Sequence, residues 1–217
     1  MKGRPITGEE FDRLKLAIKK TKRPEESWTW DLNGLWFSGL RISEAYRITW
    51  EPSDFYIDMD EEVYVILGDQ KNGKHQQLPI VPEFLDMLRK VPENRRNGTV
   101  FGFKGKTLSG RLTLAQSKRA ITELGSKAGI KTGKKKRNGA EKTATAHDLR
   151  RSFRSRWAMR VEAVVLQKLM RHEDIQTTMT FYAHVDVRDI KTAIGLSPAK
   201  DDQSEKKRND DQAEKPI

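Results

Sequence analysis

The sequence predicts an α+β domain, mostly helical, with one small three-stranded antiparallel sheet. Three observations carry that expectation. Apolar residues recur at helical spacing from Phe11 to Trp36 and again from Leu114 onward. Between them, from about Phe55, the period shifts to β-branched and aromatic runs broken by turn residues. The 217 residues show no internal repeat and fit a single domain.

Thr7 followed three residues later by Glu10 is a capping-box signature, and Phe11, Leu14 and Ile18 continue it as a helix. A second stripe, Trp28, Leu32, Leu35 and Trp36, breaks at Ser38-Gly39, after which LRISEAYRI restarts a short helix. DFYIDMDEEVYVILGDQKNGKHQQLPI reads as three strands split at DMDEE and at DQKNGK, where Asn-Gly is a strong turn marker. PEFLDMLRK is helical, ENRRNG is a loop, and a longer helix lies around Leu114, Ile121, Leu124 and Ala128. Residues 131–142, KTGKKKRNGAEK, set Lys131, Lys134, Lys135, Lys136, Arg137 and Lys142 against the single acid Glu141. With two glycines and no apolar anchor, that segment reads as a mobile basic loop. Helical patterns follow near Ala146, Glu162 and Ile175. From Pro198 onward, five bases face six acids with almost no apolar residue, so the tail 197–217 is expected to be disordered.

Hydrophobic residues make up 35% of the chain and charged residues 34%, which predicts a modest core under a heavily charged surface. The net charge of +11 points to a polyanionic partner, nucleic acid ahead of an anionic membrane. No apolar run is long enough to span a bilayer, and MKGRPITGEEF lacks the apolar core of a signal peptide. The expected location is cytoplasmic. Without cysteine, disulfides, thiolate-bound zinc and thiol catalysis are excluded.

Four short constellations carry chemistry, each open to two readings. TATAHDLRRSFRSRW repeats Leu149, Phe153 and Trp157 every four residues as a buried stripe, with His147 and Arg150 together on a different face. That pair is either an exposed charged face or a phosphate site beside the basic loop. SGLRISEAYRI sets Arg41 and Glu44 three apart, either a surface ion pair or a guanidinium aimed outward by the glycine turn and held by Glu44. DQKNGKHQQLPI puts Lys71 at a hairpin tip with Lys74 and His75 close behind, either a solubility device or a mobile proton donor. In QTTMTFYAHVD, Tyr182 falls with Ile175 and Met179 at i, i+4 and i+7, either a core aromatic with a polar tip or a nucleophile.

Two metal readings are weaker. The acidic run Asp58, Asp60, Glu61 and Glu62 has the composition two-metal nucleases use, but it lies between strands with no supporting motif. A solvated hairpin turn is expected there. His147, His172 and His184 lack HExxH-type spacing and carboxylate partners. No metal and no cofactor is expected.

Together the motifs resemble the catalytic domain of the tyrosine recombinases, the phage integrase family. SGLRISE resembles the family's first arginine motif, with Arg41 and its buttress Glu44. DQKNGKHQQLPI resembles the hairpin that carries the catalytic lysine, at Lys71, and HDLRRSF resembles the H-x-x-R box, with His147 and Arg150. LMRHEDIQTTMTFYAHV resembles the closing box, with His172 and the nucleophile Tyr182. The motifs fall in family order over about residues 3–195. Three departures stand out: Arg171 precedes His172 where relatives often carry glycine, the spacing from His172 to Tyr182 is ten, and the motifs begin almost at Met1.

The resemblance implies a site-specific DNA recombinase that cuts and rejoins DNA through a 3′-phosphotyrosyl intermediate, without metal or ATP. A DNA-binding relative of the same fold that does not cut is the alternative. Double-stranded DNA is the implied partner, bound by a homotetramer on paired sites. Lys74, Lys134, Lys135, Lys136, Arg137 and Arg151 are the expected DNA contacts. Residues 1–196 are the expected catalytic domain, without the N-terminal DNA-clamping domain that relatives usually carry, and 197–217 are its charged tail. Within the domain, VRDIKTAIGL (187–196) is either passed to a neighbouring subunit or packed as a terminal helix on its own domain.

Overall fold

Thr7 caps the first helix as its spacing predicts. Its hydroxyl oxygen accepts from the Glu10 N–H at 3.2 Å, while the Glu10 carboxylate accepts from the Thr7 N–H at 3.0 Å. Helix α1 (Gly8–Leu16) follows, then a 3₁₀ turn (Ala17–Lys20) and α2 (Glu25–Ser38), which buries Trp28, Leu32 and Leu35 completely. The computed structural model describes residues 3–67, 76–106, 110–134, 138–172, 176, 178 and 179. The described residues through Thr178 belong to one compact unit, and Met179 begins a second.

After the short α3 (Ile42–Arg47) come β1 (Phe55–Asp58), β2 (Val63–Ile66) and β3 (Gln76–Pro79). They form the expected antiparallel meander in the order β1-β2-β3, with Phe55 opposite Ile66 and Ile66 opposite Gln76. The acidic run between β1 and β2 is a turn that uses its own carboxylate. Asp58 Oδ1 accepts from the N–H groups of Asp60 and Glu61, both at 3.0 Å, and Glu62 pairs with Arg89.

The chain continues through α4 (Pro82–Arg89), a 3₁₀ turn (Glu93–Arg95) and α5 (Leu114–Lys127), which carries a second capping box from Thr113 and Gln116. Rings of Tyr64, Phe84, Phe101, Phe103 and Trp28 form a continuous chain with centroids 6.1–6.2 Å apart, joining the sheet to α4 and α2 at the core. Beside it, fully buried Asp31 accepts from the N–H groups of Gly102 (3.0 Å) and Phe103 (2.7 Å), fastening that segment to α2. Burial pushes the Asp31 carboxyl up to about 7 despite those two bonds.

The segment 131–142 corrects an expectation. Its described ends are not a loop but a two-stranded antiparallel ribbon, β4 (Lys131–Lys134) with β5 (Glu141–Thr143). The apolar anchors lie just outside the basic run: Ile130 and Ala144 are buried and joined by a 3.0 Å backbone hydrogen bond. Thr132 is buried too, its carbonyl accepting from the Arg4 N–H at 2.9 Å, and Lys131 pairs with Glu141 at 2.7 Å. Lys135, Lys136 and Arg137 lie outside the described residues.

Helices α6 (Ala146–Ala158) and α7 (Ala163–Met170) complete the described elements, with α6 packed on both α2 and α7. Of the helix expected from Ile175, Gln176, Thr178 and Met179 are described and helical. The segment 187–196 and the tail 197–217 lie outside the described residues. Among the described residues, no helix is long and apolar enough to cross a membrane.

Candidate functional site

Gly39 organises the site. It ends α2 in the left-handed region at φ +62, and a Cβ there would fall 2.3 Å from Phe153 Cδ1. Gly39→Ala is therefore expected to lower stability by about 1–3 kcal/mol through overpacking and strain, read as a lower urea midpoint. The turn delivers Arg41 to the N-cap of α3, and Glu44 folds back on it. Glu44 Oε2 accepts from the Arg41 N–H at 2.6 Å and Oε1 from Arg41 Nη1 at 2.7 Å. This pair is more than a surface ion pair, because the same carboxylate also meets Arg171 Nη2 at 3.1 Å and Arg150 Nη1 at 3.6 Å. Burial works to raise the Glu44 carboxyl, yet Arg171, Arg150 and the Arg41 N–H hold it below its ordinary value.

Arg150 departs from the helical-face expectation. His147 and Arg150 share a side of α6 by spacing, yet His147 is exposed while the Arg150 side chain is 4% exposed. The Gly39 turn and the end of α7 close over it: Nη1 donates to the Gly39 carbonyl at 2.5 Å and Nη2 to the Met170 carbonyl. Burial, then Arg171, pushes Arg150 down to about 9, so it remains cationic at neutral pH. The exposed-face reading of the pair does not apply to Arg150.

Helix α7 ends on Arg171 in the left-handed conformation, φ +51 and ψ +47, at a position glycine commonly takes. For a residue with a Cβ that conformation costs about 1–2 kcal/mol. The turn presents His172, whose N–H donates to the Gln167 carbonyl at 3.1 Å and whose Nδ1 lies 3.0 Å from Thr178 Oγ1. Burial, then Arg150 and Arg41, pushes the imidazole down to about 4, so it is neutral at pH 7.

Arg41, Arg150 and Arg171 thus surround one carboxylate and leave a formal excess of two positive charges. The site opens through Arg41, whose side chain is 46% exposed against 4% and 7% for the other two. Planar guanidiniums in a partly buried setting favour a phosphate or carboxylate ligand.

His147 stands beside this cluster on the first turn of α6. It lines a cleft of about 520 Å³ with Glu141, Thr143, Asp148 and Arg151. Partial burial, then Arg151, holds its pKa below the ordinary value. Arg150 and Arg154 lower the pKa of both His147 and His172 electrostatically. Of the expected DNA contacts, Lys134 is exposed at the end of β4, whereas Arg151 pairs with Asp148 and is 15% exposed. Lys71, Lys74 and Tyr182 lie outside the described residues, like Lys135, Lys136 and Arg137. Arg171 and Gly39 are the members that motif matching did not assign. Their sequence signals are an arginine just before His172 and a glycine just before the Arg41 helix.

A model of the Phage integrase family matches residues 6–188. No curated protein matches. Among solved structures, the XerA recombinase superposes with a TM-score of 0.58 at 19% identity, covering 92% of this chain and 68% of that one. The Tn1549 transposon integrase in complex with transposon right end DNA gives 0.57 at 20%, covering 89% and 66%. The integrase from mycobacterium phage Brujita gives 0.53 at 22%, covering 93% and 62%. At these identities the likeness shows the fold. The chain spans about two thirds of the length of each of these solved chains.

Proposed function

Because the chain belongs to the phage integrase family, we propose that it is a site-specific recombinase that cuts and rejoins duplex DNA through a tyrosine. The observation that carries this reading is the cluster of Arg41, Arg150 and Arg171 around Glu44, with neutral His172 at its edge.

In the proposed reaction the Tyr182 phenolate attacks a backbone phosphorus in line. A phosphorus–oxygen bond to the 5′-hydroxyl breaks, and a 3′-phosphotyrosyl bond forms. A 5′-hydroxyl of a second strand later reverses the attack, so the bond energy stays in the protein–DNA linkage and ATP is not consumed. A phenol pKa of ~10 requires a base at neutral pH, and His147, exposed and held below its ordinary pKa, is neutral and able to accept the proton. Lys71 returns a proton to the leaving oxygen. Charge gathering on the non-bridging oxygens is met by the forks of Arg41 and Arg150 and by an N–H of neutral His172. Glu44 holds the forks in place. Every proton and charge in this scheme has a side chain, so the scheme needs no metal step. Duplex DNA held by Lys134 and the neighbouring basic residues, and a tetramer on paired sites, complete the reading.

The test does not require the target site in advance. The protein is incubated with a pool of nicked duplexes of randomised sequence in EDTA, and detergent-resistant adducts are recovered and sequenced. Adducts on a common sequence are the expected result. Salt-sensitive DNA retention without adduct would instead mark a binding relative that does not cut, and cleavage only with added magnesium a metal-dependent nuclease.

A further inference from the structure

We propose that Arg171 is a positioning residue for the strand-cleavage site, tying the turn that presents His172 to the turn that presents Arg41 so that both are held as one rigid piece. The inference rests on the strand-cleavage reading above. Among the described residues only Glu62, Phe103 and Arg171 take positive φ without being glycine, and of these only Arg171 lies in the site. A long cationic side chain at a helix end ordinarily extends into water. This one folds inward, 7% exposed, with its guanidinium 5.7 Å from the Tyr64 ring centroid.

Its bonds form a closed circuit. Arg171 Nη2 donates to Glu44 Oε2 at 3.1 Å, and Glu44 Oε1 accepts from Arg41 Nη1 at 2.7 Å. Arg41 Nη2 in turn donates to the Arg171 carbonyl at 3.3 Å. Arg171 Nη2 also reaches the Gly39 carbonyl at 3.3 Å, and Nη1 reaches the Leu169 carbonyl at 3.0 Å. Glycine at this position would keep only the carbonyl link and open the circuit at Glu44. Arg41, the exposed member, would then hold its fork through the carbonyl of residue 171 and a Glu44 that is itself less restrained. Beyond any cost in stability, the loss falls on orientation at the reacting phosphate, which a rate measured on fully folded, DNA-saturated protein isolates.

The test compares the parent chain with Arg171→Gly and Arg171→Lys on the sequence recovered from the nicked pool. Three quantities are read: melting temperature, DNA affinity by fluorescence anisotropy, and the single-turnover rate of adduct formation in EDTA at saturating DNA. Arg171→Gly gains from relief of the left-handed strain but leaves Glu44 and the Gly39 and Leu169 carbonyls without this donor. It is therefore expected to melt below the parent, and rates are compared well below both melting temperatures. The adduct rate of Arg171→Gly is expected to fall by about ten- to a hundredfold. Arg171→Lys, which keeps a cation for Glu44 without the fork, recovers part of that rate. A glycine variant that cleaves at the parent rate overturns the proposal. So does a rate loss fully accounted for by the unfolded fraction or by incomplete saturation with DNA. A parent chain that forms no adduct fails the strand-cleavage reading itself, a different result in a different sample, and removes the reaction Arg171 is proposed to serve.

Discussion

Tyr182→Phe is expected to abolish the covalent protein–DNA adduct while leaving salt-sensitive DNA retention intact. The phenol oxygen is the atom that forms the new bond, so its removal leaves no residual route of the kind that survives loss of a stabilising group. Neighbouring Phe181 has no hydroxyl to substitute. The three other tyrosines are poorly suited. Tyr46 donates its hydroxyl to the Leu112 carbonyl at 2.9 Å and lies under Arg111 at 3.9 Å. Tyr64 is buried, its hydroxyl has no hydrogen-bond partner among the described residues, and burial raises its pKa, the reverse of what a nucleophile needs. Tyr56 sits within β1, opposite Val65. Adducts counted after detergent denaturation, with and without the substitution, give the result directly. An adduct that persists in Tyr182→Phe would place the nucleophile elsewhere, and peptide mapping of the adduct would find it.

What could be read from the chain in advance follows how local each signal is. The Thr7–Glu10 box, the three-strand meander and the break at Gly39 are written in residues within a few positions of one another, and each forms as expected. Arg41 with Glu44 is equally local, so the buttress was visible as a pair. Arg150 lies on the expected helix, and of its two sequence readings the exposed face is the one that does not hold. Its burial comes from Gly39, 111 residues away, and from Met170 at the end of α7, which no periodicity encodes. The same limit hid the ribbon at 131–143: the run of lysines dominates the composition, while Ile130, Ala144 and the N–H of Arg4 decide the backbone. Arg171 was conspicuous as the residue before His172, yet its meaning lies in Glu44, 127 positions earlier.

Substitutions at Arg150 are expected to separate charge from geometry. Arg150→Ala removes a nearly buried cation that two backbone carbonyls and the Glu44 carboxylate all use. Leaving those acceptors without it is expected to cost about 3–5 kcal/mol of stability, so loss of cleavage in that variant reflects folding as well as chemistry. Arg150→Lys is the sharper test. It retains a cation at the centre of the cluster and limits the folding loss, which a urea titration measures independently. A guanidinium has five N–H donors in a fixed plane, so Arg150 can hold Gly39 and Met170 and still point donors at a phosphate. An ammonium has three donors on one atom and cannot span the two carbonyls and the ligand together. Arg150→Lys is therefore expected to bind DNA normally and to form adduct ~10²–10³-fold more slowly at saturating substrate. Adduct formation at the parent rate would mean that a point charge suffices, and that the planar fork is there to brace the Gly39 turn against α7 rather than to meet the transition state.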